Sequence, residues 1–268
     1  MSSLIVHVNI MGGLGNQMFQ VATAYVYAKQ HRAVLQIPAH MKSPNRPLYW
    51  DSVLARFRAY LVDLIEPTAY WCEQQPTKYT PIPPPISGIY LEGYFQSSKY
   101  FGEHANEIKQ MMRPDPADPI DPLYSKWLGH ADRVVIVHAR QTDYLDRADI
   151  HNPLTYQYYI EATKIICEKI PNPIFCLVGD DLTYWERAIN QIPAFTAHPT
   201  HILENADDIS AIRGLQLFEN FIIANSTFAW WFVWLARNPR IVIAPSRWFG
   251  PAGPSDYEDI YEPEWIRV

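Results

Sequence analysis

The sequence predicts an α/β fold built as two Rossmann-like lobes with parallel sheets. Three observations predict it. Short runs rich in Val and Ile alternate with longer stretches of helical period, the pattern of parallel strands covered by helices. A glycine turn separates the first such strand from the first helix. A proline-dense stretch, RPDPADPIDP at residues 113–122, interrupts the alternation midway, and proline removes the amide donors that regular structure requires. Residues 1–122 and 123–268 are therefore the expected lobes.

In the first half, residues 5–10 read as a strand, 16–30 as a helix and 33–37 as a second strand. A further proline cluster over residues 76–85 reads as extended loop. In the second half, residues 133–138, 173–178, 201–203, 221–224 and 241–244 read as strands. Helices are expected from Thr155, Thr183, Asp208 and Thr227 onward. Trp230, Trp231 and Trp234 recur at helical spacing in the last of these and read as core rather than as a platform for a sugar ring.

Composition narrows the function. The balance of 22 basic and 28 acidic residues gives a net charge of -6, and no Lys/Arg run is present to track a phosphate backbone, which argues against a nucleic-acid partner. The first ten residues alternate polar and apolar side chains and lack both a signal-peptide h-region and a membrane-length apolar run. The expectation is a soluble, cytoplasmic chain with no integral membrane segment. Cys72, Cys167 and Cys176 form no C-x-x-C pair, so reduced thiols are expected in place of disulfides or zinc. Asp180 and Asp181 are too few oxygen ligands to specify a divalent cation.

Gly12, Gly13 and Gly15 lie between the first strand and its helix, where backbone amides suit either a phosphate or a tight structural turn. Met18 occupies the place of the third glycine of a dinucleotide fingerprint, and the second strand ends in Gln36, Ile37 and Pro38 with no acid for a ribose. A nicotinamide oxidoreductase is thereby disfavoured, and no P-loop motif occurs. Asn16 either caps the helix or reaches a phosphate or sugar hydroxyl.

Two further segments suit an anion. In RVVIVHARQTDY, His138, Arg140 and Asp143 follow a buried strand, at the end of a parallel sheet where ligands bind. Arg140 offers a planar, always-charged fork for a diphosphate, and His138 would lie on the same side of an extended chain. Asp143, with Asp146 and Asp149 as rivals, is positioned to accept a proton from an acceptor hydroxyl. Asn225, Ser226 and Thr227 stand after another strand, at a helix start whose amides and dipole favour negative charge. Together such groups suit a departing nucleoside diphosphate, on which charge grows as the glycosidic bond breaks.

The segments GGLGNQMFQ at residues 12–20, HARQTDY at 138–144 and IIANSTFAWW at 222–231 resemble, in order, the α-1,2-fucosyltransferases of glycosyltransferase family 11, as do GYFQSSKYF at 93–101 and VIAPSRWF at 242–249. The resemblance implies a GT-B type architecture and inverting, metal-independent transfer of L-fucose from GDP-β-L-fucose to a glycan acceptor, with no cofactor beyond the donor substrate. It places the first arginine of the family's H-x-R-R-x-D motif at Arg140, on the β-phosphate, with His138 and Asp143 beside it. The second arginine is replaced by Gln141, which carries no charge. The resemblance also assigns Ser226 and Thr227 to the donor phosphates and Asn16 to the donor's vicinity. Relatives often carry Asp at the position of Ala211, and Asp208, one turn earlier on the helix, would take its place toward the guanine or ribose.

Two alternatives stay open: a transferase using another GDP-linked sugar, and a non-catalytic carbohydrate-binding module suggested by 14% aromatic residues. Acceptor contacts are expected from the loops at residues 42–50 and 74–85, which carry no readable code.

Overall fold

The computed structural model describes residues 4–41, 46–65, 69–86, 88–115, 117–204 and 207–268. Residues 42–45 of the expected acceptor loop and Pro116 of the expected linker lie outside the described residues. The chain forms two compact units. The first comprises Met1–Pro114 and Asp256–Glu262, the second Asp115–Ser255 and Pro263–Val268. The division falls within the proline-dense stretch rather than at its end, and the sequence pattern gave no sign that residues 256–262 rejoin the first unit.

The first unit runs β1 (Ile5–Val8), α1 (Leu14–Gln30), β2 (Val34–Pro38), β3 (Leu61–Val62), β4 (Tyr70–Cys72), β5 (Ile89–Glu92) and α2 (Ala105–Met112). Its strands form one parallel sheet in the order β3-β2-β1-β5-β4. Only β1 and β2 were legible from apolar runs, because β3 and β4 are two or three residues long and half exposed. α1 is buried nearly throughout, as its even spread of Met18, Phe19, Val21, Ala22, Ala24 and Val26 requires. It begins at Leu14 with Gly13 as N-cap, so Asn16 lies inside the first turn and is not the cap.

The second unit runs α3 (Pro122–Ser125), β6 (Val134–Ala139), α4 (Thr142–Asp146), α5 (Ala148–His151), α6 (Tyr156–Lys169), β7 (Ile174–Gly179), α7 (Leu182–Ala188), α8 (Pro193–Ala197), β8 (Thr200–Ile202), α9 (Asp208–Leu215), β9 (Asn220–Ile222), α10 (Thr227–Leu235), β10 (Ile241–Ala244) and β11 (Ile266–Arg267). Its six strands are all parallel, in the order β11-β10-β9-β6-β7-β8. Numbered from β6, this is the doubly wound arrangement of a dinucleotide-type fold, with order reversing between β6 and β9. The α/β class with parallel sheets is as the sequence predicts.

β6 is buried on both faces. Val135, Val137 and Ala139 share a core with Tyr159, Ala162 and Ile166 of α6 and with Trp185 of α7. His138 points to the other face, its ring centroid 5.9 Å from that of Phe232 and 6.4 Å from that of Phe228 on α10. Trp230 and Trp231 are fully buried and Trp234 nearly so, with Trp230 stacked on Trp234 at 5.6 Å. The tryptophans are core, as their spacing indicated.

Burial lowers the His138 imidazole to about 4, with Asp180 opposing and Arg140 reinforcing the shift. The folded value lies below the unfolded one, so His138 contributes stability above pH 6.5 that is lost as pH falls through about 4. Over that window the stability of the wild type should fall by up to roughly 3 kcal/mol more than that of His138→Phe, which keeps the aromatic packing and cannot titrate. Urea denaturation at pH 7.5, 5.5 and 4.5 measures the difference, and parallel pH profiles would refute the assignment.

Candidate functional site

In a parallel sheet whose strand order reverses, the connections on either side of the reversal leave in opposite directions and open a crevice at the carboxyl ends. In the second unit that crevice follows β6 and β9, the strands that precede Arg140 and Ser226. Arg140 is partly buried and pairs side-on with Asp143, Nε donating to Oδ1 and one terminal nitrogen to Oδ2, both at 2.9 Å. Asp180, at the end of β7, stands 3.3 Å from the same Nε. It also accepts from the Gln141 and Thr142 amides at 2.8 and 3.2 Å and from the Thr142 hydroxyl at 2.5 Å, fixing the start of α4. Burial pulls the guanidinium down, but the Asp143 hydrogen bonds and the Asp180 charge carry it above its ordinary value.

One edge of the fork is on carboxylates, and among the described residues the other terminal nitrogen of Arg140 meets no carboxylate. Asp143 directs both oxygens to that guanidinium. In this pairing Asp143 orients Arg140. Asp146 and Asp149 are exposed. Gln141 is buried, and its Nε2 has no hydrogen-bond partner.

The Arg140 guanidinium lies 5.8 Å from the Tyr144 ring centroid, and the Tyr144 hydroxyl donates to the Asn225 carbonyl at 2.8 Å. One tyrosine thus spans from the arginine to the start of α10. The Asn225 side chain turns inward. It is 2% exposed, and its Nδ2 donates to the carbonyls of Trp248 at 2.7 Å, Asn152 at 3.3 Å and His151. The Asn225 side chain thus binds together the loops that follow β6, β9 and β10 and faces inward, away from the surface on which donor phosphates were expected. Ser226 is the N-cap of α10 but makes no side-chain capping bond, so the first-turn amides at Thr227, Phe228 and Ala229 lack a side-chain acceptor. Thr227 is half-buried at the helix tip.

His138 does not join Arg140 at the surface, because its ring is packed against α10 with Nδ1 buried and unpartnered. Asp208 is exposed in the first turn of α9, and the cap there is Asp207, which accepts from the Ile209 and Ser210 amides at 2.9 and 3.0 Å.

The first unit has its own reversal, between β1 and β5. The glycine turn follows β1, and residues 93–97 follow β5. Gly12 adopts a left-handed φ of 79°, and a β-carbon there would stand 2.5 Å from the Asn16 Nδ2. Gln96 Nε2 donates to the Asn16 Oδ1 at 3.0 Å, joining the two loops across the reversal. Gln17 donates to the Gly12 carbonyl at 3.0 Å and the Pro47 carbonyl at 2.8 Å, holding the turn from below.

Sequence reasoning missed Asp180, Tyr144 and Gln96. Asp180 was weighed only as half of a metal pair, although its place directly after a strand next to β6 was the available signal. Among the described residues no group of three or more His, Cys, Asp or Glu is gathered as a ligand set, and no helix is long and apolar enough to cross a membrane.

The chain is 26% identical to the alpha-1,2-colitosyltransferase of Escherichia coli, over 98% of this chain and 99% of that one. It is 24% identical to a galactoside 2-alpha-L-fucosyltransferase of Caenorhabditis elegans, over 96% and 74% respectively. The fucosyltransferase NodZ from Bradyrhizobium has a similar fold, with a TM-score of 0.53 at 13% identity, covering 96% of this chain and 98% of that one. The profile of Glycosyl transferase family 11 matches residues 2–268. This chain therefore belongs to glycosyl transferase family 11 and is a glycosyltransferase of GT-B type.

Proposed function

We propose that the enzyme transfers L-fucose from GDP-β-L-fucose to O-2 of a galactose or similar sugar in a glycan, inverting the anomeric centre to give an α linkage. The observation that carries this reading is the placement of Arg140 and the uncapped start of α10 at the ends of β6 and β9, where the strand order reverses. The glycosidic bond from C1 to the β-phosphate oxygen breaks with its electron pair passing to the phosphate. The free edge of Arg140, the amides of the first turn of α10 and the Thr227 hydroxyl meet that charge. Asp143 and Asp180 keep the guanidinium aimed. The acceptor O-2 bonds to C1 from the opposite face, and its proton is released. The scheme uses no metal and no cofactor beyond the donor. In it His138 and Asn225 shape the site from within the core, Ser226 ends the strand loop, and Asp208 contributes to the nucleoside side from the first turn of α9.

A second reading keeps the linkage and changes the sugar. The Escherichia coli relative is named for colitose transfer, so GDP-colitose is the leading alternative donor.

GDP release measured with GDP-fucose, GDP-colitose, GDP-mannose and UDP-galactose, in the presence of β-galactosides, should be greatest with GDP-fucose and yield a product heavier by one deoxyhexose. Preference for GDP-colitose would replace the sugar alone, whereas turnover of the UDP-sugar without any GDP-sugar would overturn the reading. Arg140→Ala should lower kcat by on the order of a hundredfold or more. Arg140→Lys, which keeps charge and loses the fork, should lower it by roughly tenfold, the worth of one charge-assisted hydrogen bond. Near-normal GDP release by Arg140→Lys would move the phosphate role to another residue.

A further inference from the structure

Glu73, just beyond β4, lies largely buried beside the loop that follows β5. Its Oε2 accepts from the backbone amides of Tyr94 at 2.8 Å and Phe95 at 2.9 Å, and the Tyr100 hydroxyl reaches Oε1 at 3.3 Å. Phe95 adopts a left-handed φ of 54°, a conformation that a bulky residue keeps only when its surroundings enforce it. A β-carbon at Gly93 would stand 2.5 Å from the Glu73 Cβ, so the carboxylate is seated directly against the turn. The next residue, Gln96, is anchored by its own amide on the Pro76 carbonyl at 2.7 Å and directs its side chain to Asn16. With Oδ1 engaged by Gln96, Asn16 is left to present Nδ2 over the glycine turn at the reversal between β1 and β5.

We propose that Glu73 is a positioning residue for the transfer reaction: by pinning the Tyr94–Phe95 turn it aims Gln96, and through Gln96 it sets which face of the Asn16 amide meets a substrate oxygen. The inference rests on the transferase reading above and adds to it the glycine turn of the first unit. Burial raises the Glu73 carboxyl to about 7 against the pull of the two amides and Tyr100, so its placement there opposes the preference of an ionised carboxylate for water.

The test is a double-mutant cycle with Glu73→Met and Asn16→Ala. Both amides share Oε2, so Gln can still accept them through its one carbonyl oxygen, whereas Met fills similar space and accepts neither. Glu73→Met should lower kcat/KM by roughly tenfold while GDP affinity by calorimetry stays close to wild type, and Glu73→Gln should keep kcat/KM near normal. The loss in Glu73→Met should vanish when Asn16 is already Ala, since the effect runs through that amide. The side-chain amide resonances of Asn16 and Gln96 in a 15N spectrum should shift or broaden in Glu73→Met. Additive losses in the cycle, or unchanged amide resonances, would overturn the positioning role. If the wild type releases GDP from no GDP-sugar, the proposed function fails, while the spectrum still decides whether Glu73 sets Asn16.

Discussion

The reversal of strand order between β6 and β9 is the constraint that sets the placement of Arg140 and α10 in the second unit. Each parallel strand must be followed by a connection that covers one face of the sheet, and where successive connections turn to opposite faces nothing fills the gap at the strand ends. Arg140 and α10 occupy the two sides of that gap. Neither would be placed there by its own local sequence. The fully buried β6 sets the depth of the arginine, and Asn225 fixes the rim by holding carbonyls from the loops after β6 and β10.

Arg140 illustrates how a charge can be both held and available. A guanidinium free to rotate would lose side-chain entropy on meeting a diphosphate, and part of its attraction would be spent on ordering. Here Asp143 and Asp180 carry out that ordering in advance, from one edge of the fork. They also compete for its charge, so the anion must bring more negative field to the free edge than water does. In the proposed reaction the departing diphosphate would gain charge during bond cleavage, and such an arrangement would favour the later stage of the reaction over the initial complex.

The α/β class and most strands of the second unit were legible because parallel strands buried on both faces read as unbroken Val/Ile runs. β3 and β11 were not, since strands of two residues carry no periodicity. The positions of Arg140 and of the start of α10 after buried strands were legible from residue type and pattern. The roles of Asn225 and His138 were not, because the direction of a side chain depends on partners distant in sequence. Asn225 answers to Trp248 and His151, and His138 to Phe232. Asp143 was legible in its motif, but its two-oxygen pairing with Arg140 was not.

The return of residues 256–262 to the first unit bears on how this enzyme can be dissected. Lys78 pairs with Asp256 and Lys99 with Asp259, each at 2.5 Å, while the Thr77 hydroxyl and the Tyr79 amide donate to the same short segment at 3.0 and 2.9 Å. The first unit is thus assembled from two stretches of chain separated by nearly the whole of the second. No single cut yields two intact halves, and a chimaera that exchanges the second unit must carry this returning segment with the recipient's first unit. The enzyme is modular in its sheets but not in its covalent order.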